Sequence, residues 1–344
     1  LIPIYFKGLY TNAPADVIAA DIGGTKVNMA LCHVGDDGLQ IINSQHYHSL
    51  QYTSFIDIIQ DFLKNNPGAK PERMCVGVAG PVLNQEVELT NLSWKFSAKE
   101  ICDTIGIKHC ALINDLEATA YGLACIDDKD FYSLNKIANE HGGNAAIFAP
   151  GTGLGEAGLF WSADGNCYHP FATEGGHCSF GARTELDHRL MYYLQQKVKV
   201  VSWEHVASGM GIANIYGFLR DVEQMEEPQW LKEELSTGDH AAVVSKAAIE
   251  EKARICVKTM ELFITYFAHA CADLVMKMKA TGGLFLGGGI PPKIMPLLQK
   301  DLFFNEFINC DRMQDLVQSV PIYVVMNDKA ALRGAAMYAA KGIV

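Results

Sequence analysis

Apolar residues in the first third of the chain keep two rhythms. Val17 to Ala20 is an unbroken apolar run, closed by Asp21-Ile22-Gly23-Gly24-Thr25-Lys26; then Val27, Met29 and Leu31 alternate with Asn28, Ala30 and Cys32. Period two marks a strand, so this stretch reads as strand, glycine turn, strand. Phe55, Ile56, Ile59, Phe62 and Leu63 recur at helical spacing, and Pro67-Gly68 ends that helix. Met74 to Ala79 reads as a buried strand stopping at Gly80-Pro81. Ser97-Ala98-Lys99-Glu100 is a capping box opening a helix that Gly106 stops. Ala111-Leu112-Ile113 is a further strand, followed by helix from Glu117 to Cys125. A hairpin plus strand–helix alternation is an α/β pattern.

Residues 127–144 are polar and read as the surface stretch around a domain junction. A second hairpin follows: apolar Ala145 to Ala149, a turn at Pro150-Gly151-Thr152-Gly153-Leu154-Gly155, and a return over Ala157 to Trp161. The remainder is helix-rich. Arg183 to Gln196 and Ala241 to Lys279 carry apolar residues at 3.6 spacing, the latter as two helices. Leu284 to Leu286 and Ile322 to Val325 are strands, the first running into Gly287-Gly288-Gly289-Ile290-Pro291, and Lys329 to Lys341 is a closing Ala-rich helix. The two glycine turns, each at a hairpin tip, suggest two related lobes.

Composition narrows the classes. The chain has 344 residues, 49% apolar and 19% charged, enough for a packed core in roughly two domains of about 150 residues each. Lys and Arg total 28 against 39 Asp and Glu, a net charge of −11, which disfavours nucleic-acid partners. An acidic protein that handles phosphates must cradle them with backbone N–H groups or a metal. The ten cysteines form no C-x-x-C pair and sit in apolar runs, as free thiols of a reducing, cytoplasmic compartment do. No uninterrupted apolar run reaches the roughly 18 residues of a membrane span, and the first 15 residues resemble neither a signal peptide nor an anchor.

A Rossmann or P-loop site needs strand, glycine loop, helix; here a strand follows each glycine turn, so both fail on context. A glycine hairpin can still bring bare N–H groups to phosphate oxygens, with Asp21 holding a hydrated magnesium. The alternative is a turn that merely needs glycine. Asn114-Asp115 falls where a strand becomes a helix, the edge at which open α/β sheets place ligands; Asp115 is either an N-cap or a general base. Glu174-Gly175-Gly176-His177 offers a carboxylate and an imidazole for neighbouring sugar hydroxyls; Cys167 and Cys178 lack the spacing for a zinc site with His177. Glu204 fits a first helical turn, where a dipole effect alone explains it.

Taken in order, D-I-G-G-T at 21–25, V-A-G-P at 78–81, N-L-S-W at 91–94, I-N-D at 113–115, A-P-G-T-G-L-G at 149–155, E-G-G-H at 174–177, V-S-W-E-H-V-A-S-G at 201–209 and L-G-G-G-I at 286–290 resemble the bacterial glucokinase family, over about residues 16–343. That family belongs to the actin-like, sugar-kinase and heat-shock ATPase superfamily. The resemblance implies an α/β, two-lobed actin-like (ribonuclease H-like) fold with the active site between lobes. It implies a small α/β domain of 16–125 plus 327–344, a large one of 126–326, and an extension of 1–15. It also implies transfer of the γ-phosphoryl of ATP to the 6-hydroxyl of glucose, with magnesium and without zinc, in a homodimer. Asp115 matches the family's base. Asn114, Glu174, His177, Glu204 and, less closely, Asn91 match its glucose ligands. Asp21, Gly23, Gly24 and Thr25 match the first phosphate motif; Gly151, Thr152 and Gly153 the second; Gly288 and Gly289 the adenosine-site glycines. Lys26 stands where many members have Asn, and Pro150 where others have Ala. The zinc cluster C-x-C-G-x-x-G-C-x-E of the related ROK kinases is absent. A kinase for another hexose or an N-acetylated amino sugar, and a non-enzymatic sugar-responsive regulator, are the alternatives.

Overall fold

The computed structural model describes residues 2–8, 14–89, 92–137 and 142–343. Its contacts divide the chain into two units: Leu1–Asp130 with Leu159–Ala172 and Asn327–Val344, and Phe131–Gly158 with Thr173–Met326.

The first unit holds β1 (Ala15–Ile22), β2 (Lys26–Gly35), β3 (Gly38–His48), β4 (Arg73–Val78), β5 (Glu86–Leu89), β6 (Trp94–Ser97) and β7 (His109–Asn114). Five of them form a sheet in the order β3-β2-β1-β4-β7. The glycine turn makes β1 and β2 antiparallel, while β1, β4 and β7 run parallel. Register sets Ile22 opposite Val78 and Val78 opposite Asn114, so three carboxyl ends lie side by side. Parallel strands covered on both faces read as continuous apolar runs, as β1 and β4 do. Ile18, Ala20, Met74 and Val76 enter one core with Phe55, Phe62 and Ile101 from the helices Phe55–Lys64 and Ala98–Ile105. Val17, Ala19 and Cys75, pointing the other way, enter a second core with Ala118, Tyr121, Ala335 and Ala339.

That second core is built on the helices Asp115–Gly122 and Ala330–Lys341. A Cβ on Gly122 would run into the Ala330 carbonyl, and one on Gly334 into the Ala118 carbonyl, so each helix carries the glycine that lets the other approach. Ile4 and Phe6 pack on the same core, and the Gly8 N–H donates to Lys341 O at 2.9 Å.

The second sheet runs β11-β10-β9-β12-β13-β8, from β8 (Phe131–Ser133), β9 (Ala145–Pro150), β10 (Leu154–Ser162), β11 (Cys167–Thr173), β12 (Gly283–Leu286) and β13 (Ile322–Val325). Its core in the second unit is dominated by helices, above all Arg254–Met278. By length and composition that helix could cross a membrane, unlike the uninterrupted runs the sequence was searched for; 78% of its apolar window is buried, as suits a core helix.

The structure departs from the sequence pattern in places. The polar stretch 127–144 contains β8, which pairs antiparallel with β13. The β5–β6 hairpin escapes notice because each strand has only four residues; in β5 only Val87 and Leu89 face inward. Ser97 accepts from the Glu100 N–H, but the reciprocal half of the capping box is not formed. The helix expected to begin at Glu117 starts two residues earlier, and Asn114 is its N-cap, with its side chain accepting from Leu116 and Glu117 N–H.

Replacing Gly334 by Ala should destabilise the first unit by about 1–3 kcal/mol, the usual range for overpacking, because the Ala118 carbonyl belongs to a helix backbone and cannot swing aside. Denaturant unfolding checks this; an unchanged midpoint would mean the two helices can separate at no cost.

Candidate active site

Two groups of candidate residues are built separately, one in each unit. In the first, Asp21 ends β1 and faces Asn28 across the hairpin. Asn28 Nδ2 donates to Asp21 Oδ2 at 3.2 Å, and Asn28 Oδ1 meets His46 Nδ1 of β3 at 2.5 Å. The imidazole fixes the amide, and the amide fixes the carboxylate. Burial pushes the Asp21 carboxyl above its usual range and the Asn28 bond opposes this. Such a carboxylate is short of positive charge. The turn beyond it is pinned by Gly23 N–H to Lys26 O at 2.9 Å and Ser49 N–H to Thr25 O at 3.1 Å. Gly24 is exposed, and a Cβ there would meet nothing within 4 Å, so folding alone does not demand glycine at this position.

At the neighbouring strand end Asn114 Nδ2 donates to Gly80 O at 3.3 Å, joining the 78–81 turn to the start of the Asp115 helix. Asp115 Oδ1 accepts from the Leu116 N–H at 2.9 Å, which orients one carboxylate oxygen. Asp21, Gly23, Gly24, Thr25, Asn114 and Asp115 therefore share one edge of one sheet. Asn91 lies outside the described residues.

In the second unit β9, β10 and four loops converge. The turn at 151–153 closes through Gly151 N–H to Gly153 O at 2.8 Å, and Gly209 N–H reaches Gly151 O at 2.8 Å. Glu204 sits in the short helical turn Trp203–His205, which buries Trp203 beneath it. Its Oε2 accepts from the Leu154 N–H at 2.9 Å, and a Cβ on Gly153 would collide with the same carboxylate. Its Oε1 lies 3.9 Å from His177 Nδ1, and Glu174 Oε2 lies 3.9 Å from His177 Nε2. Both separations exceed hydrogen-bond length, so imidazole and carboxylates stand together with capacity unspent. The Trp203 N–H donates to Cys178 O at 3.0 Å, which docks the two loops on each other. Gly288 adopts a left-handed φ of 76° with its Cα against the Pro150 carbonyl, and Ile290 N–H reaches the same oxygen at 3.3 Å. Glu174, His177, Glu204, Gly151, Thr152, Gly153, Gly288 and Gly289 thus belong to one unit and, Gly289 apart, to one contact network.

Glycine turns at two strand ends, one beside Asn114 and Asp115 and one beside Glu174, His177 and Glu204, are carried on the α/β framework of the actin-like sugar kinases. The model of the Glucokinase family matches residues 18–342. The glucokinase of Nostoc punctiforme is 36% identical over 339 residues, spanning 94% of this chain and 99% of that protein. That of Synechocystis is 35% identical over 348 residues, spanning 94% and 98%. Among solved structures, glucokinase from an Antarctic psychrotroph superposes with a TM-score of 0.79 at 31% identity, over 94% of this chain and 98% of that one. Glucokinase from Balamuthia mandrillaris, solved with glucose, shares the fold at a TM-score of 0.80 and 20% identity, over 95% and 94%. The chain belongs to the glucokinase family and is accordingly a hexose-phosphorylating kinase.

Sequence reasoning passed over three residues of these networks. Asn28 and His46 become visible only once β2–β3 register is known, although both lie on period-two strands. Glu156 was hidden inside an apolar run. It is buried in β10, where burial and the nearby Asp273 raise its carboxyl to about 7 against the pull of Lys277. A carboxyl raised on folding contributes stability that is complete below its ordinary range near 4.5 and is lost as pH rises to about 7. Between pH 4.5 and 8, the stability of Glu156→Gln relative to wild type should therefore shift in the variant's favour by up to about 3 kcal/mol. Thermal melts at both pH values check this; a constant difference would show that Glu156 keeps an ordinary pKa.

Proposed function

We propose that the chain is an ATP-dependent glucokinase in which Asp115 is the general base for the 6-hydroxyl of glucose. The observation carrying this is that Asp115 and the Asp21–Thr25 turn stand at adjacent carboxyl ends of β1, β4 and β7, where a hydroxyl nucleophile and a phosphoryl group would have to meet. Asp115 accepts the hydroxyl proton as the oxygen attacks the γ-phosphorus and the bond to the leaving ADP breaks. Asn114 spends its oxygen on the helix cap and one amide hydrogen on Gly80 O, leaving the second hydrogen for a sugar hydroxyl. Glu174, His177 and Glu204 take the remaining hydroxyls, and Asn91 is a further sugar ligand by resemblance. Among the described residues, no hydrogen bond uses the N–H groups of Gly24, Thr25, Thr152 or Gly153, and these are the donors offered to phosphate oxygens. Gly288 and Gly289 leave room for the nucleoside.

Magnesium fits Asp21. A hard cation that keeps most of its waters needs one or two carboxylates beside the phosphates, and Asp21 is a half-buried carboxylate, desolvated and hydrogen-bonded to an amide. When bound, the ion neutralises phosphate charge. Among the described residues no three His, Cys, Asp or Glu side chains gather into a further metal site. Homodimer formation rests on the family resemblance alone. A cytoplasmic setting is supported by free cysteines, of which Cys32, Cys75, Cys256 and Cys271 are buried with thiol pKa values pushed up by desolvation.

Asp115→Asn should lower kcat by about 10²–10⁴ while glucose still binds; near-normal kcat removes Asp115 from this role. Glu174→Ala should weaken glucose by about 1.5–3 kcal/mol and leave the KM for ATP unchanged. Glu204→Ala should raise both, because its Oε2 holds Leu154 at the end of the second glycine turn. Steady-state kinetics across glucose, mannose, fructose and the amino sugars tests these roles and the hexose preference together.

A further inference from the structure

Period two along β10 sets Leu154 and Glu156 on one face, and the sugar-binding loop lies directly over both. A Cβ on Gly176 would strike the Leu154 carbonyl; a Cβ on Gly175 would strike the Glu156 carboxylate. Neither glycine has a positive φ, so each is there for room. Thr173 ties the loop down beside the acid: its hydroxyl donates to Glu156 O at 3.0 Å and accepts from the Gly175 N–H at 3.3 Å. Glu156 is only 5% exposed, and among the described residues no hydrogen bond reaches its carboxylate. A carboxyl at an inward strand position, where Ala or Val would pack, is expensive unless it has a task.

We infer that Glu156 is a positioning residue for the Glu174–His177 loop, and that its protonated form holds the loop ready for glucose. The inference rests on reading this loop as a sugar ligand. A neutral carboxyl fits beneath bare Gly175. An ionised one must draw water or Lys277 into that space, and adds a negative charge next to the residue that follows Glu174 in the chain. The other groups facing it are Asp273 and Cys271 of the helix Arg254–Met278. Because its carboxyl titrates near 7, both forms are present at neutral pH. Glucose, binding the protonated form more tightly, pulls a proton onto Glu156.

Glucose has no group that ionises between pH 6 and 8, so any proton exchanged with the buffer on binding is taken up or released by the protein. Calorimetry of glucose binding to the full chain, at pH 7.5 in buffers of different ionisation enthalpy, counts those protons. Wild type should take up a fraction of a proton per glucose, and its affinity should fall roughly five- to tenfold from pH 6 to 8. Glu156→Gln should take up none and hold the low-pH affinity at both ends. In Glu156→Ala, which removes the support altogether, the loss should concentrate in the glucose KM and spare the ATP KM. Wild-type binding without proton uptake overturns the inference and needs no variant. Uptake that persists in Glu156→Gln also overturns it. Failure of the loop reading looks different: Glu174→Ala would then bind glucose as tightly as wild type at every pH.

Discussion

The carboxylate of Glu204 makes one hydrogen bond on which much of the second unit's site depends. By accepting from Leu154, it fixes the point where the glycine turn becomes β10, and so both the turn at 151–153 before that point and the strand beneath the Glu174–His177 loop after it. The bond is possible only because Gly153 has no side chain to hold Glu204 away. Its other oxygen still faces His177. A single side chain thus joins the second glycine turn to the Glu174–His177 loop, and the hydrogen bond it makes is charge-assisted and mostly shielded from water.

Both units use the same kind of foundation. Strands end in an ordered row, and polar side chains there are fixed either by backbone, as Asn114 is by Gly80 and Leu116, or by one another, as Asp21 is by Asn28. Carboxylates stand beside these strand ends in partly dry surroundings. Asp21 and Glu156 show the cost: burial pushes both towards protonation, and neither has an adjacent cation close enough to cancel the effect.

Much of this was legible in the sequence. Alternation at 27–32 and the apolar runs at 17–20 and 74–79 are strong because these strands are buried on one or both faces. Ordered glycine turns and the I-N-D and E-G-G-H motifs located the candidate side chains. What the sequence withheld depends on register or on distant packing. Val87 and Leu89 are too few to signal a strand, and the polar edge of β8 looks like a loop until β13 is there to pair with it. Glu156 sits in a run whose neighbours all say core, and its partner is a glycine 19 positions later.

That last pairing bears on how such a chain can drift over generations. The space above β10 is shared between the acid at 156 and whatever stands at 175, and filling it from one side requires emptying it from the other. Alanine at 175 requires the end of the Glu156 side chain to swing aside, and a shorter residue at 156 removes that requirement. The two positions therefore constrain each other, and a chimera joining a filled 175 to an acid at 156 would have to repack a space that each parent leaves settled.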